Sequence, residues 1–265
     1  MTIYADVYRY RELFANLFRR DLRAKYKGSV LGLLWSLANP AVLMGVYLFV
    51  FSVLWANHSI PYYPLYLLSG LALWLFFSTS LQTAARSMID SAELIKKIRF
   101  PRQLVPLSLV ATQLVTFAVM LVVLIVADAI VIPGTGDTVW IAIPVALLVV
   151  GFTAGLALVV ASLNVLFRDV EHLLTAMLLP WFFLTPILWQ LDQVPEKIKR
   201  HAVLMDALAW VNPVAPVVRT LREPLWGGHA PATADLVYTI VAAVVALVLG
   251  AFVFSRVDDR IAVEL

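Results

Sequence analysis

The chain has 265 residues, 62% of them apolar and 14% charged, with a formal net charge of +3 and a mean hydropathy of +0.89. Soluble domains average about 45–50% apolar and about 25% charged, so these proportions exclude a water-soluble globule and, equally, a disordered chain. No cysteine is present, which removes disulfides, thiolate metal sites and a thiol nucleophile and leaves a lipid bilayer as the solvent for most of the chain.

Residues 1–27 mix seven basic and three acidic side chains, without the compact apolar core and small-residue cleavage site of a signal peptide. Tyr10, Leu13, Phe14, Leu17 and Phe18 recur at helical spacing with Arg9, Glu12, Asn16, Arg19, Arg20 and Arg23 between them. This pattern predicts a helix over 4–27 lying flat at the cytoplasmic interface. A solvated helix, or one whose polar face meets a protein partner, fits the same pattern.

From 28 to 85 there is no Asp, Glu, Lys or Arg, and further uncharged runs cover 103–127, 138–167, 172–191 and 236–255. A helix needs about 20 apolar residues to cross the hydrocarbon core. The first run is long enough for two crossings, separated by the turn signal Asn57-His58-Ser59-Ile60-Pro61. Six spans follow: 32–55, 65–87, 104–130, 139–165, 171–190 and 236–255. Such continuous apolar stretches exclude barrel strands, which alternate residue by residue. The expected fold is therefore an all-α membrane protein with six transmembrane helices, an amphipathic interfacial helix and an outer re-entrant segment.

Lys and Arg in the connections set the orientation. Residues 1–30 carry seven, the link between spans two and three carries Arg86, Lys96, Lys97, Arg99 and Arg102, and Arg168, Arg256 and Arg260 share that side, 15 in all. The opposite loops carry five, all within 191–235. The split puts both termini in the cytoplasm. The positive net charge thus reflects topology, and nucleic-acid binding is not expected.

Three segments remain outside the spans. The first, 90–101, begins at Asp90 and Ser91 with acids, turns basic, and ends at Phe100-Pro101, as a short helix with a proline stop would. Leu94, Ile95 and Ile98 form its apolar stripe. It suits docking on a soluble subunit, and a plain positive-inside anchor would read the same way. The second is the polar elbow Arg168-Asp169-Val170-Glu171-His172 between spans four and five. Charges so near a membrane pair or face water, and Arg168 with Asp169 or Glu171 is the pairing at hand. The third, 191–235, is long and apolar for a loop. Its stretch 207–218 contains Asn212-Pro213 and Pro216, and apolar stretches of this length form re-entrant or interfacial helices. Broken backbone at membrane depth is tolerated only against protein or a water-filled cavity.

The chain lacks a Gly-x-x-x-x-Gly-Lys-Ser/Thr phosphate loop, so no ATPase of its own is expected. His58, His172, His201 and His229 are scattered, with no metal-ligand spacing, and no catalytic residue or metal site is predicted. Asp128 is the only acid inside a span, which argues against a mid-membrane proton relay and for an energy source elsewhere. Gly28 and Gly32, and Gly151 and Gly155, have the spacing for close helix approach, within one subunit or between two. Trp55, Tyr62, Tyr63, Tyr66 and Trp140 fall near span ends, as interfacial belts do. Trp74, Phe76, Phe77, Trp181, Phe182 and Phe183 fall inside spans, where they pack, face lipid or line a conduit suited to sugar C–H surfaces.

With the elements placed, several segments resemble the membrane subunits of ABC transporters that export polysaccharides such as O-antigen, teichoic acid or cell-wall galactan. Arg20-Asp21-Leu22-Arg23-Ala24-Lys25-Tyr26-Lys27-Gly28-Ser29-Val30-Leu31-Gly32-Leu33-Leu34-Trp35, followed by Asn39-Pro40, resembles the family's junction between interfacial helix and first span, with Lys25 where Arg is commoner. Phe100-Pro101-Arg102-Gln103-Leu104-Val105-Pro106-Leu107-Ser108 resembles the start of span three. Leu163-Asn164-Val165-Leu166-Phe167-Arg168-Asp169 and Leu184-Thr185-Pro186-Ile187-Leu188-Trp189 resemble spans four and five. Asn212-Pro213 with Arg219, Arg222 and Glu223 resembles the outer re-entrant segment.

The resemblance implies a homodimer with two copies of a cytosolic ATPase, which binds ATP and Mg, in the bacterial inner (plasma) membrane. This chain itself would carry no cofactor. It implies that Glu93, Leu94, Ile95, Lys96, Lys97, Ile98 and Arg99 form a coupling helix on that ATPase, with Arg168 and Asp169 contributing. It implies that a lipid-linked glycan passes between the subunits, with Trp210, Asn212, Pro213, Arg219, Arg222 and Glu223 in the gate segment. Two other readings compete: an ABC permease for a small amphipathic drug or lipid, and an integral-membrane enzyme on a lipid-linked substrate. The enzyme needs convergent acids and bases, and only the Arg168-Asp169-Glu171 group offers them.

Overall fold

A computed structural model of the protein describes residues 3–27, 35–50, 60–191, 194, 195, 197 and 200–264. In chain order the helices are α1 (Ile3–Arg9), α2 (Arg11–Tyr26), α3 (Trp35–Leu48), α4 (Tyr63–Asp90), α5 (Ala92–Lys97), α6 (Leu104–Val131), α7 (Ala142–Leu166), α8 (Asp169–Leu184), α9 (Ala202–Asp206), α10 (Val214–Arg222) and α11 (Thr233–Glu264). A 3₁₀ turn, Val139–Ile141, leads into α7, and wide π-type turns, Ala207–Val211 and Glu223–Gly227, follow α9 and α10. Among the described residues there is no strand.

Among the described residues, four helices are long and apolar enough to cross a membrane: Tyr63–Asp90, Leu104–Val131, Val139–Leu166 and Thr233–Asp258. They coincide with expected spans two, three, four and six and run up to three residues further at either end. The described part of span one is α3 with residues 49 and 50; residues 32–34 and 51–55, the turn signal at 57–59, the Gly28 and Gly32 pair, and Trp55 lie outside the described residues.

The expected span 171–190 is corrected. α8 has 16 residues and stops at Leu184. Thr185 is extended (φ −89°, ψ 136°) because the ring of Pro186 disfavours the helical conformation at the residue before it. The expected single helix 4–27 is also corrected: it bends at Tyr10 (φ −104°, ψ 29°) into α1 and α2. Its Leu17 side packs on α6 of the same chain, while Arg9, Glu12, Asn16, Arg19, Arg20 and Arg23 stay exposed. Ser108 Oγ donates to Asp21 Oδ2 at 2.9 Å and Gln103 Nε2 to Asp6 Oδ2 at 2.9 Å. Lys25 Nζ donates to Gln113 Oε1 at 2.7 Å and Thr116 Oγ1 at 2.8 Å, and burial there lowers its pKa.

α4 is the central helix. It is the least apolar of the four, yet 72% of its apolar window is buried, against 28% for α6 and 22% for α11. Its hydroxyls make this possible by bonding to carbonyls three or four residues back, as Ser69 does to Tyr66, Ser78 to Trp74, Thr83 to Thr79 and Ser87 to Ala84, so few are left without a partner. α4 packs on α6 and α7, and α7 packs along α11. At that second interface a Cβ on Gly155 would strike the Ala246 backbone, and one on Gly250 would strike the Gly155 carbonyl. The Gly155 close approach is thus within one chain.

Asp128, near the C-terminal end of α6, is fully buried. Its backbone carbonyl accepts from Thr135 Oγ1 at 2.7 Å, whereas neither carboxylate oxygen has a partner among the described residues. An unpartnered buried carboxylate is unfavourable. Asp128→Asn, which keeps the shape and removes the charge, is expected to stabilise the protein by on the order of 1 kcal/mol at neutral pH. The midpoint of thermal unfolding in detergent measures this; a lowered midpoint would show that the charge is needed.

Candidate functional site

The structure gathers polar side chains at the two ends of α4. At its C-terminal end, α4 turns at Ser91 directly into α5, with Ser91 N bonded to Ser87 O at 3.1 Å and Ile95 N to Ser91 O at 3.0 Å. The expected helix 90–101 is therefore shorter, because Ile98 is extended (φ −130°, ψ 135°). Ile95 is buried as the anchor and Leu94 half-buried. Glu93, Lys96, Lys97, Ile98 and Arg99 are exposed, so Ile98 leaves the apolar stripe. Glu93 and Lys97 pair at 3.2 Å on the surface, a contact worth only about 0.3–0.5 kcal/mol.

The elbow between α7 and α8 closes differently from the expected local pairing, which is corrected. Glu171 pairs with Arg86 of α4 at 3.4 Å. Asn164 Nδ2 donates to the Ala85 carbonyl at 2.8 Å, and its Oδ1 accepts from Glu171 N at 2.9 Å. Arg168 and Asp169 remain exposed beside α5's parent helix. The reason is geometric: α4 runs alongside the elbow, so its arginine reaches Glu171. Arg102, just before α6, donates to the Asp258 carbonyl and to its Oδ1 at 3.1 Å, tying in α11.

Near the N-terminal end of α4, the segment after α8 carries carbonyls that no helix uses. Arg222, 5% exposed, takes two of them: Nη1 donates to Pro186 O at 2.8 Å and Nη2 to Ile187 O at 3.2 Å. Its Nε donates to Ser69 Oγ at 3.3 Å, and its guanidinium lies 3.7 Å from the Tyr66 ring centroid. Tyr63 Oη donates to Leu188 O at 3.1 Å and Tyr66 Oη to Trp189 O at 2.7 Å. Gly70 leaves the space: a Cβ there would fall on Arg222 Nη2 and 2.9 Å from Ile187 Cγ2.

Asn212 joins this cluster from the α9–α10 connection. Its Oδ1 accepts from Trp181 Nε1 at 2.7 Å and from Val214 N at 3.1 Å, capping α10, and its Nδ2 donates to Thr185 Oγ1 at 2.9 Å. Pro213 precedes α10, which is almost wholly buried. Arg219 forks onto Asp235 at 3.0 and 2.6 Å, donates to Ala209 O at 3.1 Å and lies over the exposed Trp210. Glu223 Oε2 accepts from Ala232 N at 2.6 Å.

A family profile described as ABC-2 type transporter matches residues 12–226. The chain belongs to the ABC-2 type transporter family. It is 32% identical over 260 residues, 97% of this chain and 96% of the relative, to the O-antigen export system permease protein RfbA of Myxococcus xanthus. It is 31% identical over 263 residues, 95% of this chain and 94% of the relative, to the protein of that name from Klebsiella pneumoniae. It is 21% identical over 253 residues, 92% of each chain, to the polysialic acid transport protein KpsM of Escherichia coli.

In this ABC-2 chain four of the six span aromatics converge. Trp74, Phe77, Trp181 and Phe182 form one cluster with ring centroids 5.4–6.2 Å apart. Phe76 stacks on Phe117 at 4.9 Å, and Phe183 packs on Phe182 at 5.3 Å but is exposed. Among the described residues no group of three His, Asp or Glu gathers as metal ligands would. Sequence reasoning overlooked Tyr63, Tyr66, Ser69 and Gly70 as partners of the outer segment, and Asn164 as the elbow's clasp. Asn164 carries a usable signal, a lone amide four residues before Arg168 in an apolar run. The other four carry none: Tyr63 and Tyr66 bond backbone carbonyls, Ser69 meets the buried Arg222 and Gly70 only leaves space.

Proposed function

We propose that the chain is the permease subunit of an ABC exporter that moves a lipid-linked polysaccharide from the cytoplasmic to the outer face of the bacterial inner membrane. Near-full-length similarity to two O-antigen export permeases carries this reading. The finer picture is six crossings with both termini cytoplasmic, two copies of the chain, and two copies of a cytosolic subunit that hydrolyses ATP with Mg. α5 seats on that subunit through Glu93, Leu94, Lys96, Lys97, Ile98 and Arg99, with Ile95 as its anchor and Arg168 and Asp169 beside it. The hairpin of α9 and α10 acts as the outer gate with Trp210, Asn212, Pro213, Arg219, Arg222 and Glu223. The aromatic cluster from Trp74 to Phe183 borders the route.

Coupling requires that ATP-bound and ATP-free states of the partner contact α5 with different free energies. The support is mechanical: Ser91 joins α5 to α4, and Arg86 joins α4 to the elbow. The test is co-purification with the ATPase, followed by ATP-dependent glycan transfer into the lumen of inverted vesicles. Transfer of a small amphipathic compound instead would overturn the substrate, and turnover without an ATPase would overturn the class.

Reversing charge with Lys96→Glu and Lys97→Glu is expected to leave insertion and protein level intact while cutting export per ATP hydrolysed at least tenfold. Unchanged export at normal protein level would remove α5 from the coupling path.

A further inference from the structure

Below the outer surface, between the end of α10, the turn Glu223–Gly227 and the segment after α8, lies a cavity of about 210 Å³. It holds the volume of roughly seven waters and falls below the roughly 300–1,000 Å³ of sites for drug-sized ligands. It therefore suits one small ring rather than a length of polymer.

Its charges cancel. Two guanidinium groups, Arg219 and Arg222, line it with the carboxylate of Glu223, and Asp235 neutralises Arg219 from behind through a two-point fork. Among the described residues these charges leave no net positive field to select an anion. What remains is hydrogen-bonding capacity on planar side chains. Glu223 engages Oε2 with Ala232 N, and its Oε1 has no partner among the described residues. Arg219 Nη1 is buried, likewise with no partner among the described residues. His229 directs Nδ1 to the Ala230 carbonyl at 3.0 Å, which makes Nε2 the acceptor.

One wall is an aromatic plate held in place. Trp226 lines the cavity, its Nε1 donates to Pro61 O at 2.8 Å, and its ring meets Tyr66 edge-on at 5.1 Å. Gly227 keeps the opposite side open, since a Cβ there would lie 3.0 Å from His229 Nε2. Glu223 and Trp226 share one wide π-type turn, which ends at Gly228 in the left-handed conformation (φ 68°); such turns recur at functional positions. A fixed indole face with preoriented carboxylate and imidazole acceptors and a guanidinium donor matches a pyranose: axial C–H bonds on the ring face, hydroxyls on the polar groups.

We propose that this cavity binds a single neutral hexopyranose unit of the outgoing glycan, stacked on Trp226 and hydrogen-bonded to Glu223 and Arg219. The proposal rests on the polysaccharide-export reading and adds a sugar subsite on the outer side of the pathway. Occupancy there retains the emerging chain between strokes.

The test uses the assembled complex with its ATPase in nanodiscs. Methyl glucoside, galactoside and mannoside are titrated by ligand-observed NMR, with inorganic pyrophosphate as competitor. At least one hexoside should bind at millimolar concentration, and Trp226→Leu and Glu223→Met should each weaken it at least fivefold. Glu223→Met keeps the side-chain volume at an exposed hydrogen bond, so its reading does not depend on the fate of the tryptophan variant. Absence of hexoside binding, binding unchanged by Glu223→Met, or displacement by pyrophosphate overturns the sugar subsite. ATP-dependent glycan export by the unmodified complex is measured in parallel: export without hexoside binding overturns the subsite alone, whereas no export at all overturns the exporter reading.

Discussion

Arg222→Met is expected to lower stability by about 3–5 kcal/mol, the scale of breaking a buried charged contact, and to abolish export. The methionine fills similar space but strands three acceptors, the carbonyls of Pro186 and Ile187 and the Ser69 hydroxyl. Each orphaned buried acceptor costs about 1–3 kcal/mol. Tyr66 also loses the cation over its ring. Arg222→Lys should recover little, since an ammonium on a flexible stem cannot make the parallel fork that serves two successive carbonyls. The unfolding midpoint of the purified complex, measured beside export, checks this. A midpoint unchanged in both variants would mean that Tyr63, Tyr66 and Asn212 hold the segment after α8 without Arg222.

Gly155→Leu should be comparably damaging, at roughly 3 kcal/mol or more, above the usual range for overpacking. The new side chain meets the Ala246 backbone and not a pliable side chain, and Gly250 makes the reciprocal approach to the Gly155 carbonyl. One helix would have to leave the other along much of its length. Gly151→Ala is the internal comparison: its Cβ would meet only the Leu247 side chain, at 3.3 Å, and a loss under about 1 kcal/mol is expected. Thermal unfolding and protease resistance in detergent separate the two. If Gly155→Leu left the monomer intact and removed only self-association, the close approach within one chain would be incorrect.

Most of the membrane architecture was legible because bilayer thickness imposes a length on every apolar run. Spans two, three, four and six follow directly from the gaps between charges. Span five did not, because apolarity continues from Leu184 through Trp189 while Pro186 ends the helix, and a hydropathy run does not weigh that proline. The short helix α5 was visible in its order of acids, bases and proline, although Ile98 belongs outside it. Arg222 was legible as a member of the outer segment but not as a buried group. Its partners are backbone carbonyls 35 and 36 residues away, and carbonyls leave no trace in composition. The Arg86–Glu171 pair was hidden for a related reason: neighbouring residues offer a nearer partner on paper, and only the course of α4 beside α8 decides the choice.

α4 has one further consequence. It has 28 residues, about 42 Å of unbroken helix, pinned near one end by Arg222, Ser69 and Tyr66 and near the other by Arg86 and the Ala85 carbonyl. With most of its hydroxyls bonded inside the helix, it has little slack between these pins. Tilting such a rod by about 5° about one pin displaces the other, roughly 24 Å along the helix, by about 2 Å, more than the hydrogen bonds at either pin tolerate. A single strut thus obliges the two faces of the protein to move in step, and neither set of clasps can rearrange while the other stays still.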